Sequence, residues 1–455
     1  MMVEKNKEYV VEIIDNGCDG EGIAKIDNFT IFINDAIKGE KCKILILKVN
    51  KNFAYGKIIE IITKSKYRVE DDCTTYKRCG GCDLRHIDYN YTLTMKDNVV
   101  QNLINKTLSN IIKVDHTIGM EKPYYYRNKL QYPVGKGKDN KAVMGVFAKR
   151  THEIIPVQNC LIQNKKAQEV ANEILNIINK YNISVYDEKN QMGIVRHVIV
   201  KIGIHTNEIM CIIVVNEEDM KYEKEFVQDI TRKYPEVKTI VKNINKRNTN
   251  VILGDKNVVL YGDGYIYDTL SEYKFKISPM SFYQTNPIQT EVLYKKAIEF
   301  ANLNKNDILC DLYCGIGTIG IFASKYVKKV YGIEIVKEAA ESANENAKIN
   351  KVDNIEFMAG DVEKVFEKML VEKNVTPTAI IVDPPRRGLN KNTINTILNL
   401  EVEKVVYVSC NPSTMVRDLK MLEEKYVVNK IQPVDMFPWT SHVECVAVLQ
   451  LKQDM

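Results

Sequence analysis

The sequence lacks a long apolar segment: nowhere in the chain do about 18 apolar residues follow one another, the length that a membrane-spanning helix requires. The first twenty residues also lack the apolar core of a secretory signal, because charged side chains such as Glu4, Lys5 and Lys7 occur among them. We therefore expect neither a membrane span nor a signal peptide, and no membrane partner.

A strong excess of either charge is also absent. Lys and Arg number 64 against 59 Asp and Glu, which gives a net charge of +5 and an isoelectric point near 8.4. These values are compatible with a nucleic-acid partner but are common among soluble proteins, so charge alone does not identify the substrate. Repeats and low-complexity segments are missing as well, and 455 residues of ordinary composition predict two or three globular domains.

Cysteine, in contrast, is plentiful. There are eleven, an odd number in a long chain without a secretory signal. This combination favours a reducing compartment, in which thiols bind metals or perform chemistry instead of pairing as disulfides. We therefore expect a cytoplasmic protein.

The N-terminal half is predicted to contain two domains. Residues 1–63 show short β-type segments with glycines at the turns, at 8–14, 22–26, 29–33, 41–49 and 53–62. A small antiparallel barrel of the oligonucleotide-binding type is their natural closure. Residues 64–276 alternate strand pairs with helices and predict an α+β domain, with strands near 129–134, 143–157, 195–204 and 208–215 and a helix at 161–181.

The C-terminal part, residues 277–455, is predicted to be an α/β domain. Strands alternate with helical stretches, as in a doubly wound parallel sheet, at 307–313, 329–334, 354–358, 378–382 and 404–409. Two further strands, at 427–434 and 443–451, end the chain.

Four cysteines form a candidate metal site. Cys73, Cys79 and Cys82 lie within ten residues, with two glycines between the last two, and Cys160 is the best candidate for a fourth ligand. Four thiolates can hold a cubane 4Fe–4S cluster, the preferred interpretation, and they suit tetrahedral zinc equally well. Unligated cysteines are a third interpretation, although such tight clustering is uncommon by chance. The C-x3-C-x2-C spacing of radical S-adenosylmethionine enzymes is missing.

A glycine-rich turn predicts a nucleotide-like cofactor. The motif Gly315-x-Gly317-x-x-Gly320 follows a predicted strand and opens a helix, an arrangement that binds either a nicotinamide dinucleotide or S-adenosylmethionine. The motif alone does not distinguish between them.

Acidic residues at successive strand ends favour S-adenosylmethionine. Asp311 precedes the first glycine of the turn by four residues, and Glu334 ends the next strand, where it can accept both ribose hydroxyls. Asp361 follows the third strand, where it can face the adenine amine, and Asp383 closes the fourth. An isolated acid at such a position is usually a helix N-cap. Four acidic residues at the ends of successive strands, followed by an added C-terminal hairpin, are more typical of class I methyltransferases than of dehydrogenases.

Cys410 and Glu444 predict covalent chemistry at a carbon atom. Cys410 follows the predicted strand 404–409, within residues 405–412 (VVYVSCNP), at the sheet edge where open α/β sheets bind ligands. A lone cysteine there is more often inert, but a thiolate can add to carbon 6 of a uracil and make carbon 5 accept a methyl group. Glu444, in an apolar strand, would have a raised pKa suited to removing the carbon 5 proton. Its alternative role is that of an edge-strand carboxylate facing water. Two arginines follow Asp383-Pro384-Pro385, where amine methylation would favour an aromatic residue.

The sequence resembles the RNA uridine-5-methyltransferases, and within them the bacterial 23S ribosomal RNA branch, over nearly its whole length. Residues 19–24 (DGEGIA) are similar to the TRAM RNA-binding barrel, and residues 281–286 (SFYQTN), 409–412 (SCNP) and 437–444 (FPWTSHVE) match motifs of the catalytic domain. Asp83 and Arg85 stand where the family has glutamines, a departure that affects local polar contacts but not the four cysteines.

The resemblance implies that the chain methylates carbon 5 of a specific uridine in 23S rRNA with S-adenosylmethionine, with Cys410 as the nucleophile and Glu444 as the base. It assigns a 4Fe–4S cluster to Cys73, Cys79, Cys82 and Cys160. The cofactor residues expected from the motifs and the resemblance are Gln284, Tyr313, Gly315, Gly317, Glu334, Asp361 and Asp383.

Three alternatives remain. A tRNA uridine-5-methyltransferase is disfavoured, because that branch typically lacks both the TRAM barrel and the cluster. A non-catalytic RNA-binding iron–sulfur protein leaves Cys410 and Glu444 unexplained, and a nicotinamide oxidoreductase would use only the glycine turn. A monomer is expected. The resemblance also implies that a helix at 95–108, within residues 95–115, packs on the catalytic domain.

Overall fold

The computed structural model describes residues 3–149 and 151–452. Within them the chain forms a six-stranded sheet, a seven-stranded sheet, a two-stranded hairpin and a second seven-stranded sheet, in that order along the sequence. The predicted outer limits of the chain's first and last domains, residues 1 and 455, lie outside the described residues. In this described part, no helix is both long enough and apolar enough to cross a membrane.

The N-terminal sheet is formed by residues 8–63. Its strands are β1 (Glu8–Glu12), β2 (Asp15–Asn16), β3 (Gly22–Ile26), β4 (Phe29–Asn34), β5 (Lys41–Val49) and β6 (Phe53–Thr63). They lie in the order β1-β5-β6-β4-β3-β2. Because β1 and β2 are consecutive in the chain yet form opposite edges, the sheet curves until its two edges approach each other. Alternate residues such as Ile31, Ile33 and Ile44 fill the interior.

The expectation that this sheet is antiparallel throughout was wrong for one pair. β4 and β6 run parallel, whereas the other four pairs are antiparallel. The cause is β5, which connects β4 to β6 in sequence but pairs with the far side of β6. The chain therefore crosses over before it returns beside β4.

The central sheet occupies residues 129–261 and follows a long helix, α1 (Tyr89–Thr107). Its elements are β7 (Lys129–Lys136), β8 (Ala142–Phe147), β9 (Ile154–Pro156), α2 (Lys165–Lys180), β10 (Val195–Ile202), β11 (Ile209–Val215), α3 (Glu223–Lys233), β12 (Val237–Ile244) and β13 (Lys256–Tyr261). The strand order is β13-β12-β11-β10-β7-β8-β9. All seven residues of β11 are buried, because α2 and α3 cover one face of the sheet and the C-terminal half of the chain covers the other.

The C-terminal part begins with a hairpin of β14 (Ile266–Leu270) and β15 (Tyr273–Ile277). The remaining elements are α4 (Pro287–Ala301), β16 (Ile308–Leu312), α5 (Thr318–Ser324), β17 (Lys329–Glu334), α6 (Lys337–Ile349), β18 (Ile355–Ala359), α7 (Val362–Lys373), β19 (Ala379–Val382), α8 (Lys391–Leu400), β20 (Lys404–Ser409), α9 (Pro412–Leu422), β21 (Tyr426–Val434) and β22 (Glu444–Leu451).

These strands form one mixed sheet in the order β18-β17-β16-β19-β20-β22-β21. The first five are mutually parallel, and β22 is antiparallel to both of its neighbours. Buried side chains on both faces explain the continuous apolar runs that the sequence shows, since parallel sheets are covered by helices on both sides. The strands at 329–334 and 404–409 have the predicted bounds.

Helix α1 packs on this C-terminal sheet although it belongs to the N-terminal half of the chain. Asp88 caps it by accepting a hydrogen bond from the Tyr91 N–H at 3.0 Å. Its buried residues Val100 and Ile104 belong to the same core as Leu419 of α9. The helix ends at Thr107, so it does not reach residue 115, the outer limit expected for the packed helical region. The C-terminal sheet is therefore covered in part by residues that precede it by more than 180 positions.

Candidate active site

Cys410 lies immediately after β20, where the chain turns into α9. Asn411 caps the helix by accepting a hydrogen bond from the N–H two residues later at 3.1 Å, and Pro412 occupies the first turn, where its missing N–H has no cost. The Ser409 hydroxyl accepts a hydrogen bond from the Asn411 N–H at 3.1 Å. The Asn411 amide also donates to the Arg386 carbonyl at 3.1 Å. These contacts fix a half-buried thiol at the carboxyl edge of the sheet.

Glu444 is the first residue of β22 and is only 4% exposed. Ser409 pairs with Cys445 across the antiparallel strands β20 and β22, so Cys410 and Glu444 occupy the next position along. Side chains at such opposite positions project to the same face, with Cβ atoms about 5 Å apart. The strand register therefore places the thiol beside the carboxyl group.

The same neighbouring charges shift the pKa values of both Cys410 and Glu444. Burial and the negative charge of Asp383 together raise the pKa of Glu444 to about 8, against the opposing effect of Arg386. Burial also raises the pKa of Cys410, again with contributions from Glu444 and Asp383 and opposition from Arg386. At neutral pH Glu444 therefore holds a proton for most of the time.

Arg386 is a residue whose role the sequence did not reveal. It is the first of the two arginines after Asp383-Pro384-Pro385, and in the structure its cation acts on both Cys410 and Glu444. The Asp-Pro-Pro-Arg motif was the only signal in the sequence, because the partner residues are 24 and 58 positions away.

Two further buried carboxyl groups end neighbouring strands. Burial raises the pKa of Asp383, after β19, to about 7. Asp311, in β16, is fully buried, and burial, together with the charges of Asp383 and Glu334, raises its pKa to about 7, against the effect of the Gly320 N–H. One Asp311 oxygen accepts that N–H at 2.8 Å, and the other has no partner in the described part of the chain.

The glycine turn between β16 and α5 is shaped around a carboxylate. Glu334, at the end of β17, accepts hydrogen bonds from the N–H groups of Gly315 at 3.0 Å and Val336 at 2.9 Å. Gly315 has a φ of +55°, and a Cβ atom there would meet nothing within 4 Å. Gly317 has a φ of +83° and lies against Phe357. The turn thus leaves open space beside Gly315, next to the Glu334 carboxylate.

Tyr313 and Asp361 flank the same edge of the sheet. Tyr313 follows β16 with a φ of +67°, which is uncommon for a bulky residue and typical of functional turns. Asp361 caps α7 by accepting a hydrogen bond from the Glu363 N–H at 3.2 Å. The structure therefore shows Asp361 in the role of an N-cap, with its second oxygen free of any such hydrogen bond among the described residues.

Gln284 lies apart from the glycine turn, in a cavity of about 320 Å³ lined by Arg127, Lys129, Gln131, Gln163, Phe282, Gln284, Thr285 and Phe437. Three of its buried polar atoms lack hydrogen-bond partners among the described residues, namely Arg127 Nε, Gln163 Oε1 and Thr285 Oγ1. The Phe282 ring is 67% exposed, and Phe437 belongs to the segment that leads to Glu444. The basic residues of this cavity come from the central part of the chain, where the sequence showed no motif.

The four candidate metal-binding cysteines lie near one another. Cys82 is buried, and Cys73 and Cys160 pack against the same small apolar cluster. Cys79 interacts electrostatically with Cys160 and Cys73. Among residues 3–149 and 151–452, however, no three His, Cys, Asp or Glu side chains are arranged to hold a metal ion. The geometry therefore shows proximity of the thiols without a formed metal site.

This fold and the glycine turn beside Glu334 define the S-adenosylmethionine-dependent methyltransferases. The family model of tRNA (uracil-5-)-methyltransferases matches residues 88–452, and that of the TRAM domain matches residues 3–59. The chain belongs to the RNA uracil-5-methyltransferase family and carries an N-terminal TRAM domain, as the sequence motifs indicated. S-adenosylmethionine is its methyl donor and RNA its substrate.

Relatives from other bacteria match over nearly the whole chain. An uncharacterised RNA methyltransferase of Clostridium acetobutylicum is 46% identical, with 98% of each chain covered. One from Staphylococcus aureus (strain MRSA252) is 44% identical, with 99% of each chain covered.

A crystal structure of a characterised enzyme has the same fold. The Pyrococcus abyssi tRNA (uracil-54, C5)-methyltransferase in complex with S-adenosyl-L-homocysteine superposes with a TM-score of 0.77 and 27% identity, covering 97% of this chain and 99% of its own. Because that coverage includes most of the TRAM region, an N-terminal TRAM domain does not by itself separate rRNA enzymes from tRNA enzymes. The TRAM domain of this chain therefore does not exclude tRNA as its substrate.

Proposed function

We propose that this RNA methyltransferase modifies carbon 5 of one uridine in 23S rRNA through a covalent bond between Cys410 and the base. The observation that carries the proposal is the β20–β22 register, in which Ser409 pairs with Cys445, so that Cys410 and Glu444 are the next residues along the two strands. A nucleophile next to a buried base is the arrangement that addition to a ring carbon requires. Methylation of an oxygen or nitrogen atom would leave the thiol without a role.

The proposed reaction uses both residues in sequence. The Cys410 thiolate adds to carbon 6 of the uracil, and the electron pair released onto carbon 5 takes the methyl group, which leaves S-adenosylhomocysteine. Glu444 then removes the carbon 5 proton, the electron pair re-forms the carbon 5–carbon 6 double bond, and the thiolate departs. The only proton released overall is the one from carbon 5.

The electrostatics of the site suit these roles. A carboxylate whose pKa is about 8 holds a proton far more tightly than an ordinary glutamate, and it is therefore a stronger base. Arg386 favours the ionised forms of both Cys410 and Glu444, since it opposes both upward pKa shifts. It therefore helps to generate the attacking thiolate.

The residues of the glycine turn fit S-adenosylmethionine, which supplies the methyl group when bound. Each Glu334 oxygen accepts one backbone N–H and keeps lone pairs that can accept the ribose hydroxyls. The open space at Gly315 allows close approach of a ligand to the backbone. Further proposed cofactor contacts come from Tyr313, Gly317, Asp361 and Asp383, in the turn and at the strand ends, and from Gln284, which lines the cavity around Phe437.

We assign the cavity around Phe437 to the RNA. A uridine in folded RNA must leave its stack to reach Cys410. Arg127 and Lys129 can contact phosphate groups, and the exposed Phe282 ring can stack on a base. The three unpartnered polar atoms of the cavity support a polar ligand of this kind.

The face of the TRAM domain that points away from its interior supports binding of single-stranded RNA. Phe32, Phe53 and Tyr55 form a contiguous group, the aromatic platform, with ring centroids 5.4–6.1 Å apart. Phe32 and Tyr55 are paired in register on β4 and β6. Aromatic rings on the surface of small barrels stack on the bases of single strands without sequence preference.

Three lysines surround the aromatic platform. Lys48 pairs with Tyr55 across β5 and β6, Lys57 follows Tyr55 by two residues on the same face, and Lys25 pairs with Thr30 beside Phe53. All three are exposed and form no ion pair in the described part of the chain. Their charges complement an RNA backbone.

We propose that Cys73, Cys79, Cys82 and Cys160 hold a 4Fe–4S cluster. Donor atoms near these thiols include the buried Arg85 Nη1, which lacks a hydrogen-bond partner among the described residues. An anionic group bound to the thiolates would satisfy such donors. The thiolates of a cubane bind four different irons, so four cysteines match the number of ligands that such a cluster requires.

The second candidate substrate is tRNA, which the superposition with the Pyrococcus abyssi tRNA methyltransferase favours. Mapping of 5-methyluridine in both 23S rRNA and tRNA from a strain that lacks this chain separates the two. Loss of one 23S rRNA modification supports the proposal. Loss confined to tRNA overturns its rRNA part and leaves the carbon 5 chemistry intact.

Two variants test the chemistry itself. Cys410→Ala should bind RNA and S-adenosylmethionine but form neither adduct nor product. Glu444→Gln should accumulate a methylated protein–RNA adduct that survives denaturing electrophoresis, because elimination requires removal of the carbon 5 proton. RNA with 5-fluorouridine at the target should trap the native enzyme in the same way, since fluorine cannot leave as a cation. An adduct formed by Cys410→Ala, or normal turnover by Glu444→Gln, overturns the assigned roles.

A further inference from the structure

The chain between β21 and Glu444 is held by residues from outside the C-terminal sheet. We call residues 435–443 the hairpin loop. Its Met436 carbonyl accepts a hydrogen bond from the Asn286 amide at 3.0 Å, and its Pro438 carbonyl accepts one from the Tyr126 hydroxyl at 3.0 Å. The position of the loop therefore depends on the segments that precede α4 and β7.

Trp439, the only tryptophan of the chain, joins the hairpin loop to the cysteine segment. Its carbonyl accepts hydrogen bonds from the N–H groups of Asp83 at 2.9 Å and Leu84 at 3.0 Å, the two residues that follow Cys82. Its indole N–H donates to the Pro123 carbonyl at 2.7 Å. The ring packs in the same apolar cluster as Cys82.

The backbone of Trp439 is strained, with a φ of +69°. A bulky residue adopts this conformation at a cost, and surrounding contacts must hold it there. Arg85 supplies one of them, since its guanidinium lies 4.8 Å above the Trp439 ring. Arg85 also binds Asp72, next to Cys73 in the chain. The arginine that departs from the family pattern thus links the cysteine segment to the loop.

We propose that Trp439 is a positioning residue that couples the state of the cysteine segment to the placement of Glu444, five residues further on. A group bound at Cys73, Cys79 and Cys82 fixes the backbone that donates to the Trp439 carbonyl, and Trp439 fixes the path of the chain into β22. This inference rests on the proposed carbon 5 chemistry, and it assigns to the cysteine site the task of holding the base in place.

The coupling should affect Glu444 and not Cys410, because Cys410 is held by a different set of contacts. The Cys410 turn is held by Ser409, Asn411 and the Arg386 carbonyl, none of which touches the hairpin loop through a hydrogen bond among the described residues. Disturbance of Trp439 should therefore displace Glu444 more than Cys410. Proton removal and elimination should slow, whereas addition of the thiol should not.

A kinetic test compares Trp439→Ala with a destabilised control. The control is Phe226→Ala, which removes a fully buried ring from the core beneath α3, in a different apolar cluster. Trp439→Ala should form the covalent adduct at close to the native rate but release product about ten- to a hundredfold more slowly, as expected for a misplaced catalytic group. Trp439→Phe, which keeps a ring in the cluster, should recover part of the release rate. If both steps slow together, as in Phe226→Ala, Trp439 is merely structural.

An optical test needs no catalysis, because the tryptophan emission of the native protein comes from Trp439 alone. Acrylamide should quench it more strongly in Cys82→Ser, and in native protein stripped of iron by an anaerobic chelator, than in the loaded protein. S-adenosylmethionine affinity, measured by calorimetry on the same samples, should stay constant. Equal quenching in all samples overturns the coupling. If the native enzyme forms no adduct with 5-fluorouridine RNA, the carbon 5 chemistry fails, and the quenching comparison still decides whether the cysteine segment holds Trp439.

Discussion

The Lys96 ammonium and the Asp435 carboxylate form an ion pair in which both side chains are buried, with 2.5 Å between Nζ and Oδ1. Lys96 belongs to α1, and Asp435 begins the hairpin loop. The second Asp435 oxygen accepts a hydrogen bond from the Tyr89 hydroxyl of the same helix at 2.8 Å. The carboxylate is therefore satisfied entirely by α1, and the pair attaches this helix to the loop that leads to Glu444.

Replacement of Lys96 by methionine should destabilise the protein by about 3–5 kcal/mol, because it leaves a buried carboxylate without its partner. Urea unfolding measures the loss. Lys106→Met, at an exposed position of the same helix, should change stability by less than about 0.5 kcal/mol. The double variant Lys96→Met/Asp435→Asn should recover part of the loss, since no charge remains buried. Equal effects of the two single variants would show that the ion pair contributes nothing.

Glu334→Ala should weaken S-adenosylmethionine binding by about ten- to a hundredfold. The loss corresponds to about 1.5–3 kcal/mol for hydrogen bonds to a charged acceptor. Calorimetric titration gives the affinity directly, and Glu338→Ala, an exposed glutamate in the first turn of α6, is the control. Unchanged affinity in Glu334→Ala would remove this residue from the cofactor site.

The rate of methylation should rise with pH, through a midpoint near the pKa of Glu444, which is about 8. Glu444 acts as a base only when ionised, and its pKa of about 8 sets the midpoint, with the raised pKa of Cys410 acting in the same direction. Arg386 lowers both pKa values, so Arg386→Ala should move the profile to higher pH. The measurement is kcat/KM between pH 6 and 10, with Arg387→Ala as the control. A profile that Arg386→Ala does not move would contradict the assigned charge coupling.

Protein purified without oxygen should be brown, with about four irons per chain, as a cubane held by four thiolates requires. Cys160→Ala should lose the colour and most of the iron. Cys211→Ala, at a buried cysteine in β11, should keep both. Stoichiometric zinc in protein prepared with ample iron would favour the zinc alternative.

The aromatic platform should contribute to RNA affinity before any chemistry occurs. Phe32→Ala/Tyr55→Ala should weaken binding of a labelled single-stranded RNA of about 12 nucleotides by at least fivefold, since each stacked base contributes about 1–3 kcal/mol. Replacement of Lys25, Lys48 and Lys57 by glutamine should reduce the slope of log K against log salt by about 2. The same change at the exposed lysines Lys113, Lys224 and Lys351 is the charge-matched control. Anisotropy titrations in which test and control variants agree would exclude the platform as an RNA-binding surface.

The parts of the fold that follow from local sequence were the predictable ones. Strands such as Lys329–Glu334 and Lys404–Ser409 are short runs that contain buried β-branched residues and alternate with helical stretches, so their bounds could be predicted. The parallel pairing of β4 with β6 could not, because it depends on which side of β6 receives β5. Alternation of apolar residues is the same for either arrangement.

In the candidate site, too, local sequence predicted some features, and others depend on distant parts of the chain. The chemistry of Cys410, Glu334 and Asp383 could be inferred from residue type and position at strand ends, whereas the adjacency of Cys410 and Glu444 depends on the register of β22. The hairpin loop that leads into β22 is held by contacts from distant segments. Arg127 illustrates the limit: it is buried in the cavity beside Phe437, more than 300 residues away in sequence, and no motif marks it.

The packing of α1 determines which residues a fragment must contain if its C-terminal sheet is to stay covered. The apolar side of this helix, with Val100 and Ile104, completes the core of the C-terminal sheet, and the uracil-5-methyltransferase family model begins at residue 88, the N-cap of the same helix. A fragment that starts at residue 277 would expose this sheet surface to water and should aggregate. A fragment that starts at residue 88 retains the cover and loses only the TRAM domain and the first three thiols. A stable fragment of the C-terminal sheet should therefore begin at α1 and not at β14.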